Sequence, residues 1–173
     1  MPGPLIRTDI VDVYVFRRCG DRKGGPGGVE FLQLRRSSKV KALAGTWQPV
    51  MGHVEAGETA THAALRELRE ETGFGPNADD PQRALLGFWQ LESLNTFFLA
   101  SIDAVMMSPC FAAEVGPLGE PVLDESHDAY RWVLRDHADR QFMWPGQRVA
   151  IEQIVRDILP EESPLRALLR VGG

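Results

Sequence analysis

Cysteine is scarce. The 173 residues hold two, Cys19 and Cys110, in neither a CxxC nor a paired Cys/His spacing. A disulfide framework and a spaced zinc site are thereby excluded, and both read as reduced thiols of a cytoplasmic chain. Cationic excess is also missing, with 19 Lys and Arg against 24 Asp and Glu and a formal net charge of −5. A protein that binds nucleic acid through bulk electrostatics carries the opposite sign. A polyanionic ligand must then be met by local cations or by a metal. The start, Met-Pro-Gly-Pro-Leu-Ile-Arg-Thr-Asp, lacks a charged segment followed by an apolar one, so no secretory signal is expected. No apolar run approaches the roughly 20 residues of a membrane helix. Internal repeats and linker-like stretches are absent too.

What is present is ordinary globular material, 43% hydrophobic and 25% charged, at a length that suits one domain with its own core. Residues 1–173 are expected to form that single domain. Residues 1–8 and 160–173 are expected to be tails, the second with either one amphipathic turn or no fixed structure.

The alternating, β-branched residues 10–16 and 29–34 predict two strands, separated by a mobile loop at 19–28 that carries five glycines. Arg35, Arg36, Lys39 and Lys41 form a basic segment leading to a short strand at 47–50, whose Pro49 suits an edge or a strand end. Helical patterning starts near Glu58 or Thr59 and stops at Gly73, which fits a glycine just past a helix end. Further strands are expected at 84–91, 95–105 and 130–134. The three prolines of 107–124 predict a long loop. A second helix is expected at 145–159, with Pro145 in its first turn and Val149, Ile151, Ile154, Val155 and Ile158 as its apolar stripe. Strands with two well-separated helices predict an α/β fold: a mixed sheet covered on each side, an α/β/α sandwich.

Residues 52–74 carry the chemistry: Gly-His-Val-Glu-Ala-Gly-Glu-Thr-Ala-Thr-His-Ala-Ala-Leu-Arg-Glu-Leu-Arg-Glu-Glu-Thr-Gly-Phe. At about 100° per residue, Glu67, Glu70 and Glu71 share one helix face as i,i+3 and i,i+4 neighbours. Leu65 and Leu68 fall on the neighbouring arc and anchor the helix on the sheet. Ala60 and Ala63 are expected above the carboxylates, leaving room for a ligand. Three crowded carboxylates repel one another, and a hard divalent cation such as Mg²⁺ turns that repulsion into affinity. A charge run is more often a solvated face, but the flanking glycines at fixed spacing argue against that here. Gly52 ends a strand where the chain turns sharply, and its carbonyl is a candidate to face the metal. Gly57 lets the loop fold against the helix start, and Gly73 permits a left-handed exit. Arg66 lies i,i+4 from Glu70 and is placed to hold a carboxylate in one rotamer. Glu58 also complements the helix dipole. Glu55 is a weaker candidate ligand, and His53 and His62 read as surface residues.

The positions Gly52, Glu58, Arg66, Glu67, Leu68, Glu70, Glu71, Gly73 and Phe74 resemble an unbroken Nudix box, the signature of Mg²⁺-dependent hydrolases that cleave diphosphates attached to another moiety. Chance agreement at seven such positions is on the order of 10⁻⁸ per start. The resemblance implies the same fold, Mg²⁺ as cofactor with Mn²⁺ as a substitute, and Glu67, Glu70 and Glu71 as metal ligands oriented by Arg66. The expected reaction is attack of water on one phosphorus of a diphosphate, with the general base unassigned.

A narrower resemblance covers residues 9–158 in patches. The stretches 47–52 (Trp-Gln-Pro-Val-Met-Gly), 125–132 (Glu-Ser-His-Asp-Ala-Tyr-Arg-Trp) and 147–153 (Gln-Arg-Val-Ala-Ile-Glu-Gln) are similar to bacterial dihydroneopterin triphosphate pyrophosphohydrolases. Those enzymes also hydrolyse dATP. The likeness implies Glu125 as a further metal ligand and a nucleotide or pterin triphosphate as substrate. Little matches between Gln90 and Leu123. Trp47, Gln48 and Arg35 are the candidate substrate contacts, although Trp47, Trp132 and Tyr130 are of types that more often take core or edge positions than stack on a base, by about two to one. Other Nudix substrates stay open: nucleotide sugars, ADP-ribose, dinucleoside polyphosphates or capped RNA. A non-catalytic nucleotide-binding regulator is disfavoured by the full set of glutamates. Homodimer formation is left open.

Overall fold

The computed structural model describes residues 3–20, 28–40 and 43–172. Most of the expected glycine-rich loop, and Lys41 of the basic segment, lie outside the described residues.

Eight strands form one mixed sheet: β1 (Leu5–Arg7), β2 (Ile10–Arg18), β3 (Val29–Arg36), β4 (Trp47–Gln48), β5 (Val50–His53), β6 (Leu85–Leu99), β7 (Ala104–Val115) and β8 (His127–Leu134). The path runs β1-β7-β2-β3-β4, with β5 beside β2, β6 beside β7 and β8 beside β3. β7 is parallel to β1 and β2, and the other pairings are antiparallel. Strand alternation sorts the core into two layers. Val11, Val13, Val15, Leu32, Leu34 and Val50 pack under helix α1 (Ala60–Thr72). Tyr14, Phe16, Phe31 and Ala112 face the opposite way, towards α2 (Arg135–Gln141) and α3 (Pro145–Gln153). The helices thus cover both faces, as the sandwich expectation required.

Several boundaries differ from the sequence reading, each for a physical reason. The first half of the expected loop at 107–124 is instead strand β7, which runs through Pro109. That proline sits where the ladder is already interrupted. The β6 register shifts between Gln90 and Leu94, while β1 pairing ends at Met106 and β2 pairing begins at Cys110. The expected strands 84–91 and 95–105 are instead one long β6 and the start of β7. The reversal between them uses Asp103 in the left-handed region, φ 47°. Helix α2 was not expected, because its sequence Arg-Asp-His-Ala-Asp-Arg-Gln offers one apolar anchor, the buried Ala138. The second expected helix ends its regular part at Gln153 and continues as a wider turn, Ile154–Ile158, closed by the Leu159 amide on the Ile154 carbonyl at 2.9 Å. Val149 is not in its stripe. It is 52% exposed, and Ala150 takes the inward position. Of the two expectations for the C-terminal segment, the helical turn is what forms: α4 (Pro164–Leu168) docks beside Trp89, whose indole N–H donates to the Arg166 carbonyl at 2.8 Å.

Two buried polar knots tie the layers together. Asp12 on β2 is fully buried and accepts from Asn95 Nδ2 at 2.7 Å, Ser108 Oγ at 2.6 Å and the Tyr14 hydroxyl at 3.3 Å. Burial without a cation pushes its carboxyl up to about 6, against the three donors. Arg17, also on β2, donates to Glu30 at 2.8 Å, to Glu120 at 3.0 Å and to the Gly119 carbonyl at 3.1 Å. Its guanidinium stacks over Trp132 at 4.0 Å, and the Trp132 indole donates to Glu120. This second knot fastens the short loop between β7 and β8 to the sheet.

Candidate active site

Helix α1 is set by its ends. The Thr59 side chain accepts from the His62 amide at the start, and Gly73 leaves the helix at φ 72° with its amide on the Arg69 carbonyl. Ala63, Ala64 and Leu68 form the buried face. Ala63 is completely buried against the sheet, so it does not open space for a ligand as expected. Its small side chain instead lets the helix come close to β2 and β5. Leu68 is the deep anchor, and Leu65 is only partly buried.

That close approach brings Glu67 onto β5. A Cβ built on Gly52 would lie 1.8 Å from Glu67 Cδ, so only glycine leaves room for this carboxylate beside the strand. Arg66 gathers the acids around it. Its guanidinium donates to Glu58 Oε1 at 3.1 Å and Oε2 at 3.0 Å, to Glu67 Oε1 at 2.8 Å and to Glu70 Oε2 at 3.2 Å. A further bond to the His53 carbonyl at 2.7 Å joins helix and strand. These bonds hold Glu58 below its ordinary value and raise the Arg66 pKa. Glu58 also accepts from the Glu55 amide, closing the loop at Gly57, which has φ 84°. His53 and His62 are exposed, as expected.

Glu71 sits deepest. It is 6% exposed, and the Met51 amide reaches its Oε2 at 3.4 Å. Burial pushes its carboxyl well above the ordinary value, the charges of Glu67 and Asp124 add to this, and Met51 and Arg36 oppose it. Glu67 is likewise raised, first by burial, with Arg66 opposing and Glu70 adding. Two carboxylates are therefore kept close and partly dry with insufficient positive charge nearby. Among the described residues, no three His, Cys, Asp or Glu side chains already surround one point, since Glu67 and Glu70 are drawn to Arg66. The donor set is nevertheless all oxygen, anionic and short of cations, and Gly52 leaves the strand backbone open beside it. These residues fit a hard divalent ion.

The remaining candidates are spread more widely. Gln48 is 3% exposed, shares the α1 side of the sheet with Leu34, and its Nε2 is buried without a partner. Trp47 pairs with Arg35 on the other side of the sheet, where Arg131 stacks on it at 4.2 Å and Arg35 lies 5.8 Å away. Arg35 also donates to Asp128 at 2.6 Å. Tyr130 is exposed and Trp132 is held in the Arg17 knot. Glu125 is exposed at the turn before β8. The structure adds Asp124, whose charge acts on Glu71. In the sequence, the resemblance pointed to Glu125 of this acidic pair, and nothing pointed to Asp124.

A family model described as the NUDIX domain matches residues 9–154. The chain belongs to the Nudix family, hydrolases of diphosphate bonds. The asymmetrical bis(5'-nucleosyl)-tetraphosphatase of Sus scrofa is 30% identical over 142 residues, 82% of this chain and 88% of that protein. The m7GpppN-mRNA hydrolase NUDT17 of Danio rerio is 41% identical over 61 residues, 35% of this chain and 20% of that protein, so the chain matches about a fifth of its length. Among solved structures, the dihydroneopterin triphosphate pyrophosphohydrolase of E. coli is similar with a TM-score of 0.62 and 26% identity, over 84% of this chain and 94% of that one.

Proposed function

We propose that this protein is a Mg²⁺-dependent pyrophosphohydrolase of a nucleoside- or pterin-type triphosphate, releasing a monophosphate and pyrophosphate. One observation carries the reaction class: the partly buried carboxylates Glu67 and Glu71 meet β5 at neighbouring residues, Glu67 against Gly52 and Glu71 at the Met51 amide, with Glu67 held by Arg66. Glu67 and Glu71 would hold the ion, with Glu70 in support and the Gly52 carbonyl beside them. When bound, the divalent ion neutralises phosphate oxygens and lowers the pKa of its water. Arg66 keeps the carboxylates oriented and ties their helix to β5. In the net reaction one water adds to a phosphorus, one P–O–P bond breaks, and the leaving phosphate departs as pyrophosphate.

The triphosphate reading is supported by the likeness of the three stretches 47–52, 125–132 and 147–153, and by the 26% identity to the E. coli enzyme. Gln48, buried on the α1 side of the sheet with a free amide, is the substrate contact we favour; Trp47 and Arg35 belong to the other face. A second reading, hydrolysis of a dinucleoside polyphosphate, is favoured by the 30% identity that spans 88% of the Sus scrofa protein.

The test is incubation with Mg²⁺ and dihydroneopterin triphosphate, the common NTPs and dNTPs, ADP-ribose and a dinucleoside tetraphosphate, with products separated by chromatography. Pyrophosphate with a monophosphate from the pterin or a dNTP supports the first reading. Turnover of the dinucleotide alone transfers support to the second. Binding without turnover of any member overturns both.

A further inference from the structure

We propose that the groove between α1 and the start of β6 binds a small amphiphilic anion, a phosphate or sulfonate carried on an apolar body. Arg69 holds the charged end, and Leu65, Pro76 and Leu86 hold the body.

Two adjoining cavities form the groove. The first, about 280 Å³, lies against Leu65, Arg66 and Arg69 of α1 and is bounded by the turn at residues 75–78. The second, about 230 Å³, lies between Leu86 on β6 and the C-terminal residues 170–172. Leu65 and Pro76 are walls of both. Together the cavities reach the size of a small-molecule site, roughly 300–1,000 Å³. Backbone bonds fix these walls. The Gly75 amide donates to the Arg83 carbonyl and the Leu85 amide to the Gly75 carbonyl, both at 3.2 Å, and the Val171 amide donates to the Phe88 carbonyl at 2.8 Å.

The charge of the walls selects the occupant. The chain holds 24 Asp and Glu against 19 Lys and Arg. Yet among the described residues no acid lines either cavity, while Arg66, Arg69 and Arg170 do. Every N–H of the Arg66 guanidinium is already engaged, by Glu58, Glu67, Glu70 or the His53 carbonyl. Arg170 donates to the Leu86 carbonyl at 3.2 Å. The Arg69 guanidinium has no hydrogen-bond or ion-pair partner among the described residues. Its stem runs beside Gly75, where a Cβ would lie 4.0 Å from Arg69 Cβ and Cγ. An anion at Arg69 gains charge-assisted hydrogen bonds and displaces no internal partner. Beyond Arg69 the groove continues over apolar side chains to Leu86, which is 55% exposed. A free phosphate leaves that surface wet, and an uncharged ligand leaves Arg69 unpaired. A ligand that joins the two meets both. The groove shares only the Arg66 side chain with the carboxylate cluster, so its occupant is separate from the substrate of Glu67 and Glu71.

The experiment titrates naphthyl phosphate into the isotope-labelled full chain in EDTA and reads amide chemical shifts. This probe has no diphosphate bond to cleave. Melting curves establish that each variant is folded. Shifts are expected at Gly75, Asn77, Ala78 and Gly172. Affinity is expected to fall at least about tenfold in Arg69→Gln and in Leu86→Glu. Arg148→Gln, at an exposed arginine on α3, is expected to leave it unchanged within about twofold. Inorganic phosphate and naphthol are each expected to bind at least about tenfold more weakly than the joined probe. If Arg69→Gln does not fold, the shift map and Leu86→Glu decide. Shifts centred on Gly52 and Glu71, equal weakening by Arg148→Gln, or inorganic phosphate binding as tightly as the probe overturns the assignment. So does the absence of binding at millimolar probe.

Discussion

Glu67 rests against the α-carbon of Gly52, so closely that a methyl group there would fall 1.8 Å from the carboxyl carbon. The clash is with the end of a flexible side chain, so the strand survives while Glu67 must swing away. Gly52→Ala is expected to lower kcat/KM by about 10²-fold and to shift the melting temperature by only a few degrees. A variant with wild-type turnover would show that Glu67 is not needed where it lies.

Arg66 bonds to three carboxylates and one carbonyl, and lysine cannot reproduce that fork. Arg66→Lys is expected to cut kcat/KM by at least about tenfold although the charge is kept. Steady-state kinetics with Arg66→Ala beside it separate geometry from charge. Equal activity of Arg66→Lys and wild type would reduce the clamp to simple electrostatics.

Asp12 gives a signed pH dependence. Its carboxyl rises from 3.8 to about 6 on folding, so the folded protein keeps a proton that the unfolded chain loses. Stability from this group is fully present below about pH 4 and is lost as pH rises through about 6, a change of roughly 2 to 3 kcal/mol. Urea unfolding of wild type and Asp12→Asn between pH 4 and 7 measures it. The difference between the two should shift against wild type as pH rises, and a constant difference contradicts the assignment.

Arg17 and Glu30 are both nearly inaccessible, 6% and 4% exposed. Arg17→Met removes the buried cation that faces Glu30 and is expected to cost about 3 kcal/mol. The double variant with Glu30→Leu should recover most of that loss in urea unfolding. A double variant as unstable as the single one would place the cost in the lost contacts of Arg17 with Glu120 and Trp132 instead.

Most of the box was legible because each of its constraints is local: the i,i+4 pairing of Arg66 with Glu70, the cap at Gly73 and the turn at Gly57 all act within a few residues. What escaped depends on partners distant in sequence. Pro109 reads as a strand breaker until β1, β2 and β6 show that its position already lacks a regular ladder. Ala63 looks like an open floor until the sheet fills it. The burial of Glu71 at the Met51 amide depends likewise on β5, 20 residues away in sequence, which no spacing rule reveals.

The central claim is that the Glu67 and Glu71 constellation hydrolyses a triphosphate. The most direct measurement is pyrophosphate release from dihydroneopterin triphosphate and dATP with Mg²⁺, comparing wild type with Glu71→Gln. The account predicts turnover by the wild type and a loss of about 10²-fold or more in a folded Glu71→Gln protein. Undiminished release by Glu71→Gln, or none by the wild type, would contradict it.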